Sequence, residues 1–184
     1  TINLNNKQKT TIMATQWNLD PSHSEVQFKV KHMVISTVTG NFDHFNAGVE
    51  SNDNNFSDAK FEFDAKVESI NTKNADRDGH LKSADFFAAE QFPEMKFEST
   101  SGIQNGKIEG TLEIRGEKQP ITLNADFGGV IKDPYGLTRA GFEFSGEINR
   151  KDYGLGWSQV TEAGGLVVSD KVKLLVNLEF TQAQ

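Results

Sequence analysis

The feature that most constrains this chain is strict two-residue alternation. In Ala59-Lys60-Phe61-Glu62-Phe63-Asp64-Ala65-Lys66-Val67 every odd position is apolar and every even one charged. Successive side chains of a strand point to opposite faces, so such a segment forms a strand with one buried face and one wet face. The beat recurs. Val26, Phe28 and Val30 alternate with Gln27, Lys29 and Lys31, and Ile108, Leu112 and Ile114 with Glu109, Thr111, Glu113 and Arg115. Phe142 and Phe144 flank Glu143, and Val172, Leu174, Val176, Leu178 and Phe180 carry the pattern to the end. Weaker segments at 38–50, 94–101 and 120–131 bring the expectation to eight strands, the others lying near 17–32, 59–67, 107–115, 137–149 and 170–181. In the 38–50 segment the apolar phase slips between Phe42 and Phe45, which predicts a β-bulge near Asp43-His44.

Most links are short and carry turn residues, among them Asn105-Gly106, Asp133-Pro134-Tyr135-Gly136 and the Asn-rich Ser51–Asn55. Short links favour an up-and-down meander. Eight one-sided strands bury their apolar faces by curling into a closed barrel, which also removes the sheet edges. The fold expected is therefore all-β, an eight-stranded antiparallel barrel, with a β-sandwich as the competing arrangement. The long link at 68–93 is the exception. Thr72 or Asn74 is placed to cap a short helix, Asp76 and Asp78 lie in its first turn, and Phe86, Phe87 and Phe92 need a buried surface. A link this long in a compact domain is usually functional, so this one is expected to act as a lid. The Gly-rich stretch Tyr153–Gly165, which contains Trp157, is the second irregular region.

Composition narrows the function. Among 184 residues there are 14 Phe against two Trp and two Tyr, so the inward faces offer apolar area with few polar atoms to satisfy. The formal net charge of -7 argues against nucleic acid and against an anionic membrane surface as partners. There is no Cys, hence no disulfide and no thiolate site, and the redox compartment stays open. No apolar run approaches the roughly 18 residues of a spanning helix, so stable membrane insertion is not expected. Thr1–Ile12 is polar and Met13-Ala14-Thr15 resembles an internal start. Residues 1–15 are thus expected to be a disordered leader or tag-like segment and 16–184 the folded domain, in the cytoplasm, or in the periplasm if an upstream signal has been removed.

Several blocks together resemble the YceI-like family. They begin with Leu19-Asp20-Pro21-Ser22-His23-Ser24, Val26-x-Phe28-x-Val30-x-His32 and Val38-x-Gly40-x-Phe42. They continue with Ser69-Ile70-Asn71-Thr72, Arg77-Asp78-x-His80-Leu81, Ser83-Ala84-Asp85-Phe86-Phe87 and Phe92-Pro93-x-Met95-x-Phe97. Gly110-x-Leu112-x-Ile114-Arg115-Gly116 and Asn149-Arg150-x-Asp152-Tyr153-Gly154 complete the set, over about residues 16–181. The resemblance implies a lipocalin-like barrel that holds a polyisoprenoid or other long-chain lipid in its lumen. Glu117-Lys118-Gln119-Pro120 departs from the usual Val-Thr-Lys-Pro type of turn, which blurs that hairpin.

The expected function is therefore a carrier or reservoir for a long apolar ligand: a polyisoprenoid, an isoprenoid quinone or a fatty-acid derivative. The lumen is expected to be lined by Phe28, Val30, Phe42, Phe61, Phe63, Phe87, Phe97, Leu112, Ile114, Phe142, Phe144, Leu174, Val176 and Leu178. His23, Arg77, Asp78, His80 and Trp157 are the candidates for a polar head group. No catalytic residue, metal site or cofactor is expected, since His23, His32, His44 and His80 show no compact ligand spacing and no nucleophile motif occurs. Two alternatives remain: an enzyme of small apolar substrates using the Arg77/His80 region, and a filled, structural, stress-related barrel. Nothing bars a homodimer.

Overall fold

The computed structural model describes residues 14–165 and 167–184. They form one continuous antiparallel sheet closed on itself as an eight-stranded barrel. Two of the barrel strands are broken, so the chain runs as β1 (Thr15–Leu19), β2 (Glu25–His32), β3 (Ser36–Phe42), β4 (Phe45–Ser51), β5 (Lys60–Lys66), β6 (Ile70–Asn71), β7 (Glu94–Ser99), β8 (Lys107–Ile114), β9 (Glu117–Lys132), β10 (Thr138–Asn149) and β11 (Val168–Gln182). One short helix, α1 (Ala75–Lys82), lies between β6 and β7. No helix among the described residues is long and apolar enough to cross a membrane.

β11 closes the barrel by pairing with both halves of the first strand: Phe180 faces Leu19 of β1, and Leu174 faces Phe28 of β2. β1 in turn pairs with β4, and β2 with β3. The expected strand at 17–32 is thus interrupted by a 3₁₀ turn, Pro21–His23, capped by the Asp20 side chain. A proline cannot donate to the ladder, and here it starts that turn.

The expected bulge at Asp43-His44 is instead a full break between β3 and β4, which lets β3 pair with β6 while β4 pairs with β5. The β8–β9 turn also starts two residues earlier than the expected Glu117-Lys118-Gln119-Pro120 turn. It is made by Arg115 and Gly116, both left-handed at φ 52° and 74°, and β9 begins at Glu117. Pro120 is tolerated within β9 because β10 pairs with β9 only from Asn124 onward, leaving its nitrogen on a free edge. The proposed boundary at residue 16 falls one residue inside β1, and the rest of the expected leader up to residue 13 lies outside the described residues.

Strand direction sorts the connections into two ends. One end carries the 52–59 loop, the 100–106 loop and the 133–137 turn. The other carries the β2–β3 tip, the link through α1, the Arg115-Gly116 turn and the segment 150–167.

Candidate functional site

The first end is solid. Phe56 enters from the 52–59 loop, is fully buried, and meets Phe142 at 4.9 Å and Phe127 at 5.2 Å between ring centroids. Phe142 also packs on Phe61 at 5.2 Å and on Phe180 at 5.8 Å, mostly edge to face. Trp17 covers Phe56 from the outside at 5.4 Å. Phe56 holds a φ of 56°, which a phenylalanine adopts only when its surroundings dictate it. The loop supplies them: the Asp58 carboxylate accepts from the Asn52 N–H and the Ser51 hydroxyl, and the Ile103 N–H donates to the Phe56 carbonyl.

The second end is hollow. A cavity of about 170 Å³ occupies the barrel interior. Apart from Gln27, Glu62 and Arg150, every residue lining it is apolar. Phe61, Phe144 and Leu178 lie at its floor, where it meets the aromatic plug. Its wall includes Phe28, Val30, Phe42, Phe63, Phe97, Leu112, Ile114, Leu174 and Val176, and Phe87 closes over it. All the expected lumen residues but Phe142 therefore border the cavity. Phe142 belongs to the plug, because the register shift before it and the arrival of Phe56 fill its end of the barrel. Gly40 is required by the wall itself, since a Cβ there would come within 2.2 Å of the Phe28 ring.

Two covers meet over the hollow end. The first is the link through α1, which contributes Leu81, Phe86 and Phe87. Asn74 caps α1 by accepting from the Arg77 N–H at 2.9 Å. The Arg77 guanidinium donates to the Thr72 hydroxyl at 2.8 Å and to its carbonyl at 2.7 Å. The Asp78 carboxylate accepts from the Thr72 N–H at 2.9 Å. Arg77 and Asp78 thus pin the helix to the end of β6, and neither borders the cavity. His80 likewise points away: its Nε2 lies 2.8 Å from Asp85, and its ring meets Phe86 and Trp157 edge on at 5.1 and 5.0 Å. His23 sits on the outer wall beside Asp20, 3.0 Å away. None of the five head-group candidates reaches the cavity in this structure.

The second cover is the segment after β10, and it depends on a residue the sequence reading did not single out. Arg150 is 3% exposed and borders the cavity. Its guanidinium donates to the carbonyls of Ser169 (3.0 Å), Trp157 (2.7 Å) and Leu155, and reaches Asp170 at 3.3 Å. Burial lowers its pKa, and the Asp170 carboxylate partly offsets that. The cation ties both ends of the segment to the barrel rim. Arg115 joins the two covers, donating to Gly154 O at 2.7 Å and to Ala84 O at 3.0 Å. Only the Asn149-Arg150-x-Asp152-Tyr153-Gly154 block hinted at Arg150, because periodicity is silent about a residue just past a strand. Leu155 was missed for the same reason, whereas Phe86 was expected to need a buried surface but was not assigned to the lumen.

A third polar cluster lies on the outer wall. Ligand atoms of Asp20, His23 and Glu179 lie within 4.8 Å of one another, a spacing suited to a cation. Arg139 already supplies one, bonding Asp20, Glu179 and Asp133 at 2.7 Å each. Asp20 is held well below the ordinary carboxylate range by bonds from Ser22, His23 and Arg139, and Asp133 is lowered chiefly by Arg139.

Residues 17–180 match the YceI-like domain family. A UPF0312 protein of Staphylococcus aureus strain N315 is 39% identical over 168 residues, covering 91% of this chain and 98% of that protein. Among solved structures, the YCEI protein of Campylobacter jejuni is 34% identical with a TM-score of 0.71, over 84% of this chain and 90% of that one. BcnA of Burkholderia cenocepacia (TM-score 0.73, 19% identity, 88% of this chain and 99% of that one) shares the fold. So does a polyisoprenoid binding domain of Saccharophagus degradans (TM-score 0.66, 18% identity, 91% and 98% covered). Matched along almost its whole barrel, the chain belongs to the YceI-like family.

Proposed function

We propose that this protein binds one long apolar chain, of the polyisoprenoid, isoprenoid quinone or fatty-acid class, inside the hollow end and acts as its carrier or reservoir. The observation that carries the reading is the cavity itself: an apolar hollow left open by a chain that packs its other end with aromatic rings. Cavities of this kind exclude water and accept apolar guests. The name of the Saccharophagus degradans neighbour supports an isoprenoid class of guest. The energetics suit a carrier. Each CH₂ removed from water contributes about 0.8 kcal/mol, yet exchange between cavity and bilayer is close to neutral because hydrocarbon replaces hydrocarbon. A guest is thus shielded in transit without being trapped. Arg77 and His80 are engaged with the chain's own groups and stand off the cavity, which favours binding over catalysis there.

The test is native mass spectrometry of the purified protein against its organic extract, followed by titration with a fluorescent long-chain probe. A retained long-chain species is expected. Phe63→Asp should abolish probe binding, because an unpaired carboxylate in an apolar cavity is costly, and Glu98→Lys on the outer face of β7, away from the cavity lining, should leave it nearly unchanged. An extract without long-chain species, together with no probe binding, would sink the reading.

A further inference from the structure

The large apolar side chains exposed among the described residues are not scattered evenly. Met33, Val34 and Ile35, exposed by 41%, 71% and 84%, are consecutive and form the tip between β2 and β3. Val160, 68% exposed, belongs to the same corner: the Val167 N–H donates to Gln159 O, and the Met33 N–H donates to Val167 O. This corner stands at the rim of the hollow end, since Val30 and Val168 just beside it border the cavity. Ile131 and Tyr135, the other exposed apolar residues, lie at the packed end.

The tip also works against its own backbone. Met33 and Val34 adopt φ of 50° and 67°, a region that Gly, Asn and Asp populate readily and a β-branched residue resists. Folding alone would favour Asn or Gly there. Apolar residues kept against local preference point to a use outside the fold.

Charge identifies the partner. Lys29 and Lys31 face outward on β2 just below the tip, and Lys173 of β11 stands directly across from Lys29. Like charges opposed on one face repel. Among the described residues no carboxylate comes within ion-pair distance of these three lysines; Glu147, across from Lys173 on β10, turns instead to Lys171 at 3.1 Å. Several of the acids that give the chain its net charge of -7, including Glu50, Asp53, Asp58, Glu109 and Asp133, lie toward the other end. An apolar point framed by unmatched lysines fits an anionic bilayer, the apolar side chains entering the acyl boundary and the lysines meeting the headgroups.

We propose that the barrel docks its hollow end on anionic lipid bilayers through Met33, Val34 and Ile35, with Lys29, Lys31 and Lys173 facing the headgroups. Whole-chain charge argued against such a partner; the local arrangement reverses that argument at this one end.

The test is flotation of the full chain with vesicles of phosphatidylcholine mixed with phosphatidylglycerol, and with phosphatidylcholine alone, at low salt. Wild type should float with the mixed vesicles and only weakly with the neutral ones. Val34→Asn combined with Ile35→Ser should lose binding about tenfold while melting no lower than wild type, because Asn suits the left-handed backbone. Replacing Lys29, Lys31 and Lys173 by Gln should weaken binding roughly fivefold per lysine. Three results would overturn the proposal: no flotation of wild type, a tip variant that floats as wild type does, or a wild-type dimer in light scattering that the tip variant splits while neither floats. The probe titration described above is independent of these results, so loss of docking and loss of ligand binding are separable.

Discussion

The two ends of this barrel are built from the same residue types and do opposite things. At the packed end Phe56, Phe142 and Phe180 are almost wholly buried and meet ring against ring. At the hollow end Phe28, Phe63 and Phe97 also point inward, yet they face space and remain half-buried. The difference comes from what the connections contribute. The 52–59 loop inserts a phenylalanine that completes an aromatic cluster. The link through α1 and the segment held by Arg150 lie over their end without filling it. Inward orientation therefore says which side chains face the interior, and the loops decide whether the interior is core or container.

The largest effect expected from this contrast is on stability. Phe142→Ala should cost about 3–5 kcal/mol, as removal of a fully packed ring leaves a new void. Phe63→Ala should cost clearly less, since that ring already borders space and loses fewer contacts. Urea unfolding of both variants decides the matter, and equal costs would mean that the ends do not differ in packing.

A smaller effect concerns the covers. Phe87→Ala and Arg77→Ala should speed exchange of a fluorescent long-chain probe several-fold in stopped flow. Arg77→Ala should also lower stability by about 1 kcal/mol through lost hydrogen bonds, with the preferred guest unchanged. If neither variant alters exchange, the link is a surface loop and the guest passes beneath the Arg150-held segment instead.

The smallest effect is on the outer wall. Asp20 and Asp133 titrate below their ordinary value of 3.8 in the folded chain. The unfolded chain therefore takes up protons first on acidification. The stability these carboxylates contribute is complete above about pH 5 and is lost as pH falls through their lowered folded values. Melting temperature should decline across that acid range, and Arg139→Gln should flatten the decline. An unchanged slope in the variant would show that Arg139 is not what holds these carboxylates ionised.

Much of this architecture was readable before any coordinates. Alternation located the strands, because one wet face and one apolar face leave a period in the sequence whatever the partner strand is. All but one of the side chains it placed in the lumen border the cavity, although they make up only about half of the lining. It could not show that the first two strands break: the phase slip between Phe42 and Phe45 looks the same for a bulge as for a break, and Asp20–Ser24 leaves alternating segments on both sides. It misplaced Phe142, because a residue in phase looks the same against a void as against Phe56, and Phe56 lay just past the Ser51–Asn55 turn in a stretch given no role. Arg77, Asp78 and His80 attracted attention as a polar group, but helix geometry turns them toward Thr72 and Asp85. Arg150 was the reverse case: a lone cation past a strand end, legible only once the carbonyls around it are in place.

Phe56 has a further consequence, one of sequence in time. With one end stoppered, the barrel is a blind tube, and any chain longer than the tube is deep must enter and leave by the same mouth. Under the proposed binding, such a guest would load tail first and depart head first. A polar head group would stay at the rim throughout residence, within reach of whatever delivers or receives it, while the far end of the tail is the last part to be wetted. A tube open at both ends would permit threading and release at either side. This one allows only reversal, so for the proposed carrier donor and acceptor would take turns at a single door.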